Sequence, residues 1–115
     1  NHAIQSLNIN TSVFNEGALL TENLYGYTPF SIIVYQLQDS SLCNHKIFIQ
    51  AAKNPNEFIL QYEFQGKLTS IHGKLKKPIN TPRFSIQINA NNQGAFRKLL
   101  NNGKIYFTFN NGLNQ

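Results

Sequence analysis

Residues 28–48 read TPFSIIVYQLQDSSLCNHKIF. Phe30 to Leu37 is a run of apolar, β-branched and aromatic residues behind Pro29, which predicts a strand. Within it Ile32, Val34 and Gln36 face one way and Ile33, Tyr35 and Leu37 the other, so both faces are expected to be covered. The oxygens of Asp39, Ser40 and Ser41 can accept from orphan N–H groups, which predicts a short helix or turn running towards Ile47. The same stretch holds Cys43 and His45.

Upstream, Ile4, Leu7 and Ile9 lie in a short extended segment, with Leu7 and Ile9 in period-two register. Residues 11–29, TSVFNEGALLTENLYGYTP, mix polar and apolar positions around Gly17, Gly26 and Pro29. They predict a long connection with one helical turn near Ala18 to Leu24. Connections beyond about 12 residues are uncommon in compact domains and often functional. The plain alternative is that Leu19, Leu20, Leu24, Tyr25 and Tyr27 cover the end of the core.

Downstream, Lys53-Asn54-Pro55-Asn56 is a turn. Phe58 to Phe64 and Lys67 to Leu75 read as two strands of a hairpin joined at Gln65-Gly66. Lys76 to Arg83, KKPINTPR, is a Pro-rich break. Phe84, Ile86 and Ile88 then alternate with Ser85, Gln87 and Asn89, the pattern of a one-sided strand. Gln93 to Asn102 predicts a helix, with Phe96, Leu99 and Leu100 at i, i+3 and i+4 and Gly103 suited to a left-handed position after its end. Ile105 to Phe109 is a final strand. The elements add up to one domain over residues 1–115, an all-β antiparallel sandwich with one or two short helices.

Composition agrees with β structure: nine Phe and five Tyr, no Trp, no Met, and 13% charged residues in 115. The net charge of +5 raises a nucleic-acid hypothesis, a basic β-barrel module for single strands. Only Lys74, Lys76 and Lys77 cluster, however, and lysines at a strand end also protect a sheet edge from pairing. One Cys excludes an internal disulfide. No apolar run reaches the roughly 20 residues that span a bilayer as a helix. The chain opens at Asn1-His2-Ala3 without Met, as expected of a processed or truncated product whose leader has been removed.

Catalytic patterns are missing. The carboxylates Glu16, Glu22, Asp39, Glu57 and Glu63 form no pair at a spacing suited to one bond beside a His. Cys43-x-His45 offers two metal ligands where a closed zinc site needs four. Cys43 as a nucleophile needs His45 or His72 brought to it by the fold. There is no phosphate loop and no nucleophile elbow. The expectation is a protein without enzymatic activity, metal or cofactor.

Residues 15–48, NEGALLTENLYGYTPFSIIVYQLQDSSLCNHKIF, resemble the outer-membrane lipoproteins of type VI secretion systems, the TssJ family. That pattern is an Asn after the first strand, a loop, a Pro, an alternating strand ending in Tyr-Gln-Leu, a polar turn and a Phe-containing helical segment. Asn15, Pro29, Ile32 to Val34, Tyr35-Gln36-Leu37, Asp39 and Phe48 stand at those places, with Leu7 to Asn10 as the first strand. The resemblance covers about the N-terminal half; this loop is longer, and the strand after Lys104 lacks the family ending. It implies a transthyretin-like (immunoglobulin-like) sandwich on the periplasmic side of the outer membrane, held by a lipid on a Cys immediately before Asn1. The implied partner is the C-terminal periplasmic region of a TssM/IcmF-like inner-membrane protein, bound through the loop between the first two strands, with no nucleic acid involved. That loop corresponds to residues 15–28, where Leu19, Leu20, Leu24, Tyr25 and Tyr27 are the candidate contacts. Aromatic and aliphatic anchors dominate interface energetics. A pilin- or inhibitor-like sandwich would share the fold and differ in partner.

Overall fold

The computed structural model describes residues 9–16, 18–20 and 29–111, with backbone alone at 9, 18–20 and 111. Among the described residues nine strands and one α-helix follow one another: β1 (Ile9–Asn15), β2 (Ala18–Leu20), β3 (Phe30–Leu37), β4 (Ile47–Ala51), β5 (Glu57–Phe64), β6 (Lys67–Lys74), β7 (Ile79–Asn80), β8 (Phe84–Ala90), α1 (Gln93–Asn102) and β9 (Ile105–Asn111). A 3₁₀ turn, Ser40–Leu42, separates β3 from β4. The strands form two sheets, one of six in the order β2-β1-β9-β4-β5-β6 and one of three in the order β3-β8-β7. Every pairing is antiparallel. The predicted all-β sandwich with a short helix is the architecture found.

The core lies between the sheets. Phe58, Leu60, Tyr62 and Phe64 on β5, Ile47 and Ile49 on β4, and Ile105, Phe107 and Phe109 on β9 meet Phe84, Ile86 and Ile88 of β8. Each fully buried Phe or Ile contributes roughly 1.5–3 kcal/mol by leaving water. Phe96 of α1 closes one end, its ring centroid 5.0 Å from Phe30 and 6.4 Å from Phe58, so one side chain touches both sheets. Leu42 of the 3₁₀ turn, fully buried, closes the other.

Several expectations hold. β3 spans Phe30–Leu37, and α1 spans Gln93–Asn102 with Asn92 as its N-cap. The β5–β6 hairpin turns at Gln65 and Gly66, whose φ of 54° and 78° make the two-residue turn that matches strand twist.

Others are corrected. β1 continues through Thr11 to Asn15, which the sequence reading placed in a long connection; the notional start of that strand, residues 3–8, lies outside the described residues. Ala18–Leu20 pairs with β1 as a strand instead of forming a helical turn, because the β1 edge gives its backbone partners. Residues 47–51, including Phe48, are strand β4 rather than helix, since both β5 and β9 bond to them. β3 is covered on one face only: Ile33 is 38% and Tyr35 49% exposed. A register slip between Val34 and Gln36 turns Leu37 to the side of Ile32 and Val34. Gly103 is extended, with φ −146°, and serves a close approach instead of a left-handed turn.

Candidate functional site

The β1–β2 hairpin is tied down where β1 ends. Asn15 Oδ1 accepts the Lys104 N–H at 3.3 Å, and the Glu16 N–H donates to the Lys104 carbonyl at 2.9 Å. The α1–β9 connection thereby holds the hairpin end in place. A Cβ on Gly103 would stand 2.6 Å from Asn15 Oδ1, so any other residue here would push the Asn15 amide out of this position. Of the five candidate contacts, Leu19 and Leu20 fall on β2, where the register pairs them with Phe14 and Val13. Leu24, Tyr25 and Tyr27 lie outside the described residues.

A second feature went unread in the sequence. Phe14, Tyr106 and Phe48 come from β1, β9 and β4, and the ladder pairs Tyr106 with both of the others. They stand on the face of the six-stranded sheet away from the core. The Phe14 and Tyr106 rings stack at 5.0 Å with 16° between planes, and Phe48 lies 5.2 Å from Tyr106. Lys46 Nζ sits 5.1 Å from the Tyr106 ring centroid, a cation–π contact. The row leaves Tyr106 only 8% exposed although it faces outward. The signal was the continuous apolar run Ile105-Tyr106-Phe107, the mark of a strand covered on both faces.

Next to this row the surface dips on either side of Phe48. One hollow of about 270 Å³ is lined by Phe48, Gln50, Gln61 and Lys104 among others. The other, about 340 Å³, is lined by Lys46, Phe48, Gln61, Glu63 and Leu68 among others. Phe48 and Gln61 belong to both. Gln50 Nε2 donates to Gln61 Oε1 at 3.0 Å, which sets amide groups along the floor. Leu68, on edge strand β6, is 65% exposed.

The remaining polar residues form structural clusters. Asp39 caps the 3₁₀ turn by accepting from the Ser41 N–H and hydroxyl, and receives Arg83 Nη1 at 2.8 Å. The Ser41 bonds, followed by Arg83, hold its carboxyl below the usual carboxylate range. Arg83 also lies over the Phe64 ring at 4.3 Å. Glu57 is lowered by a hydrogen bond from Asn54 and then by His72, which approaches to 3.1 Å. Lys74 stands 3.9 Å from the same carboxylate, so part of the basic cluster answers a neighbouring acid. Sequence spacing hid the Glu57–His72 pair because it forms diagonally across the β5–β6 ladder. Glu57 and Glu63 lie at opposite ends of β5.

Cys43 is half-buried against the core, and burial pushes its thiol up. His45 meets the edge of the Phe64 ring instead of pairing with it. Among the described residues, no three His, Cys, Asp or Glu gather as a metal ion would need. No helix among them is long and apolar enough to cross a membrane. Comparison with protein-family models, with curated proteins and with solved structures finds no match for this chain.

Proposed function

We propose that this chain is an assembly module without enzymatic activity. In this reading it is a TssJ-type sandwich, lipid-anchored on the periplasmic side of the outer membrane, that holds the C-terminal periplasmic region of a TssM/IcmF-like inner-membrane protein. The observation that carries the reading is the β1–β2 hairpin. Asn15, at the position the resemblance gives it, fixes the hairpin end through Lys104. Leu19 and Leu20 follow on β2, and Pro29, after residues 21–28 of the sequence, stands immediately before β3. A fixed base next in sequence to a segment that carries Leu24, Tyr25 and Tyr27 is what binding loops on rigid scaffolds use. Asp39, also part of the resemblance, caps the turn after β3, which supports the reading. The two-sheet antiparallel sandwich supports the reading at the level of fold class.

The test is calorimetric titration of the chain with the C-terminal periplasmic region of a TssM/IcmF-like protein from the same organism. Binding is expected, and replacing residues 21–28 with a short Gly-Ser link abolishes it while the melting temperature stays nearly unchanged. Full binding by the shortened chain moves the contact elsewhere, and no binding by the intact chain removes the partner. Intact mass of the full-length protein from its native cells checks the anchor: an acylated Cys before Asn1 is the expected result.

A further inference from the structure

We propose that Asn102 is a self-modification site: the Gly103 backbone nitrogen attacks its side-chain amide, and the residue ages to aspartate and isoaspartate. This chemistry does not depend on what the hairpin binds. An asparagine reacts this way when its amide is free, its backbone can turn, and the next residue has no side chain to shield the nitrogen. Asn102 and Asn111 are the two asparagines that precede a glycine, and of these Asn102 is the one whose side chain is described. It is the last residue of α1, and it is exposed. The final turn of a helix lacks intrahelical partners for its carbonyls and frays. Among the described residues the Asn102 amide makes no hydrogen bond. Other asparagines are tied down. Asn15 accepts the Lys104 N–H, Asn92 accepts the Ala95 N–H, and Asn110 donates to Asn10 and Ser12. Each of those three also precedes a residue with a side chain.

Water is the only co-reactant. The Gly103 nitrogen gives its proton to solvent base and bonds to Asn102 Cγ, and the side-chain NH2 leaves as ammonia. Water then opens the resulting succinimide at either carbonyl. Cleavage of the new bond leaves an aspartyl side chain. Cleavage of the original peptide bond leaves an isoaspartyl link, whose backbone runs through Cβ and Cγ and is one carbon longer. Both products put a carboxylate at the C-terminal end of α1, where the helix dipole disfavours negative charge and no basic residue stands in the last turn. The longer link falls directly before Gly103, which already lies so close to Asn15 that a Cβ would stand 2.6 Å from its Oδ1. The isoaspartyl form therefore displaces Lys104 from Asn15 and separates the Glu16 N–H from the Lys104 carbonyl. Ageing at Asn102 unclamps the base of the β1–β2 hairpin.

The experiment ages the intact chain in mildly alkaline buffer, with a parallel sample unfolded in urea. Trypsin releases residues 99–104, Leu-Leu-Asn-Asn-Gly-Lys, whose mass reports the exchange of NH2 for OH. Fragmentation separates aspartyl from isoaspartyl products and Asn101 from Asn102. Asn102 in the folded chain is expected to convert at a rate within about tenfold of the urea sample, because a fraying helix end costs little to open. Asn101 stays intact, and Asn102→Gln, which needs a six-membered ring, blocks the reaction. Ion exchange isolates the isoaspartyl chain, in which the Glu16 amide is expected to exchange hydrogen about fivefold faster, as loss of one hydrogen bond gives. A folded chain that keeps Asn102 while the unfolded chain converts overturns the proposal, as does faster conversion of Asn101. Unchanged exchange at Glu16 in the isoaspartyl chain overturns the unclamping. The time course of the unsubstituted chain decides the matter even where the variant fails to fold.

Discussion

Asn15 Oδ1 and Gly103 meet at the seam between the first strand and the last, with space for a hydrogen atom where any other residue carries a Cβ. Gly103→Ala puts a methyl group 2.6 Å from that oxygen, and Asn15 is held by the Lys104 N–H it accepts. The substitution is expected to cost about 1–3 kcal/mol, the range for overpacking. Urea unfolding measures it. Asn15→Ala removes the obstacle, so in that background Gly103→Ala costs less, and the double-mutant cycle shows a coupling of at least about 0.5 kcal/mol. Strict additivity would sink the account of the seam.

Phe84 is fully buried, with its ring 6.1 Å from Tyr62 and 5.4 Å from Phe109, so it joins β8 to both β5 and β9. Phe84→Ala is expected to cost about 3–5 kcal/mol, a large part of the stability of a small domain. Ile86→Val, at an equally buried site, costs about 0.5–1.5 kcal/mol. Denaturant midpoints at constant m-value check both.

Asn92 accepts the Ala95 N–H at 2.9 Å and so satisfies one of the free donors at the start of α1. Asn92→Ala is expected to cost about 1 kcal/mol, while Asn92→Ser or Asn92→Asp restores most of it. An equal loss in all three variants would assign Asn92 a role other than capping.

Asp39 and Glu57 both have carboxyls held below their ordinary values. A lowered folded-state value means that the unfolded chain binds protons first. Their contribution is therefore present above the ordinary carboxylate range and is lost as pH falls through the lowered values. Thermal melting followed from neutral pH into acid is expected to show a steeper decline for the wild type than for Asp39→Asn or Glu57→Gln. Parallel declines in all three proteins would show that other groups control the acid limb.

The sheet elements with a local pattern were legible in the sequence. β8 alternates without interruption, the β5–β6 hairpin has its turn residues in place, and α1 carries an apolar stripe, an N-cap and a following Gly. What stayed hidden depends on partners far away in the chain. Thr11 to Asn15 has little pattern of its own and becomes a strand because β9 lies beside it. β4 is five residues long behind a helix-like capping signal, and its strand character comes from β5 and β9. Apolar residues on β3 suggested two covered faces, yet the three-stranded sheet has nothing described over Ile33 and Tyr35. The aromatic row joins positions 14, 48 and 106, a contact that no local window contains. Of the five candidate binding residues only Leu19 and Leu20 lie in the described part of the hairpin.

The place of β9 has a consequence for how the protein is made. It lies between β1 and β4, bonded to both, yet it follows every other described strand in the chain and is made after them. Until residues 105–111 arrive, β1 and β4 each present an open edge, and the hairpin base lacks the Lys104 amide that fixes Asn15. Vectorial synthesis therefore cannot complete this fold in stages: the β4–β5–β6 meander can form early, but the six-stranded sheet closes only after residues 105–111 are free. Pairing across about 100 residues carries a loop-closure cost that slows folding. A nascent copy that lacks β9 thus presents two bare strand edges, the kind of surface a holding chaperone protects.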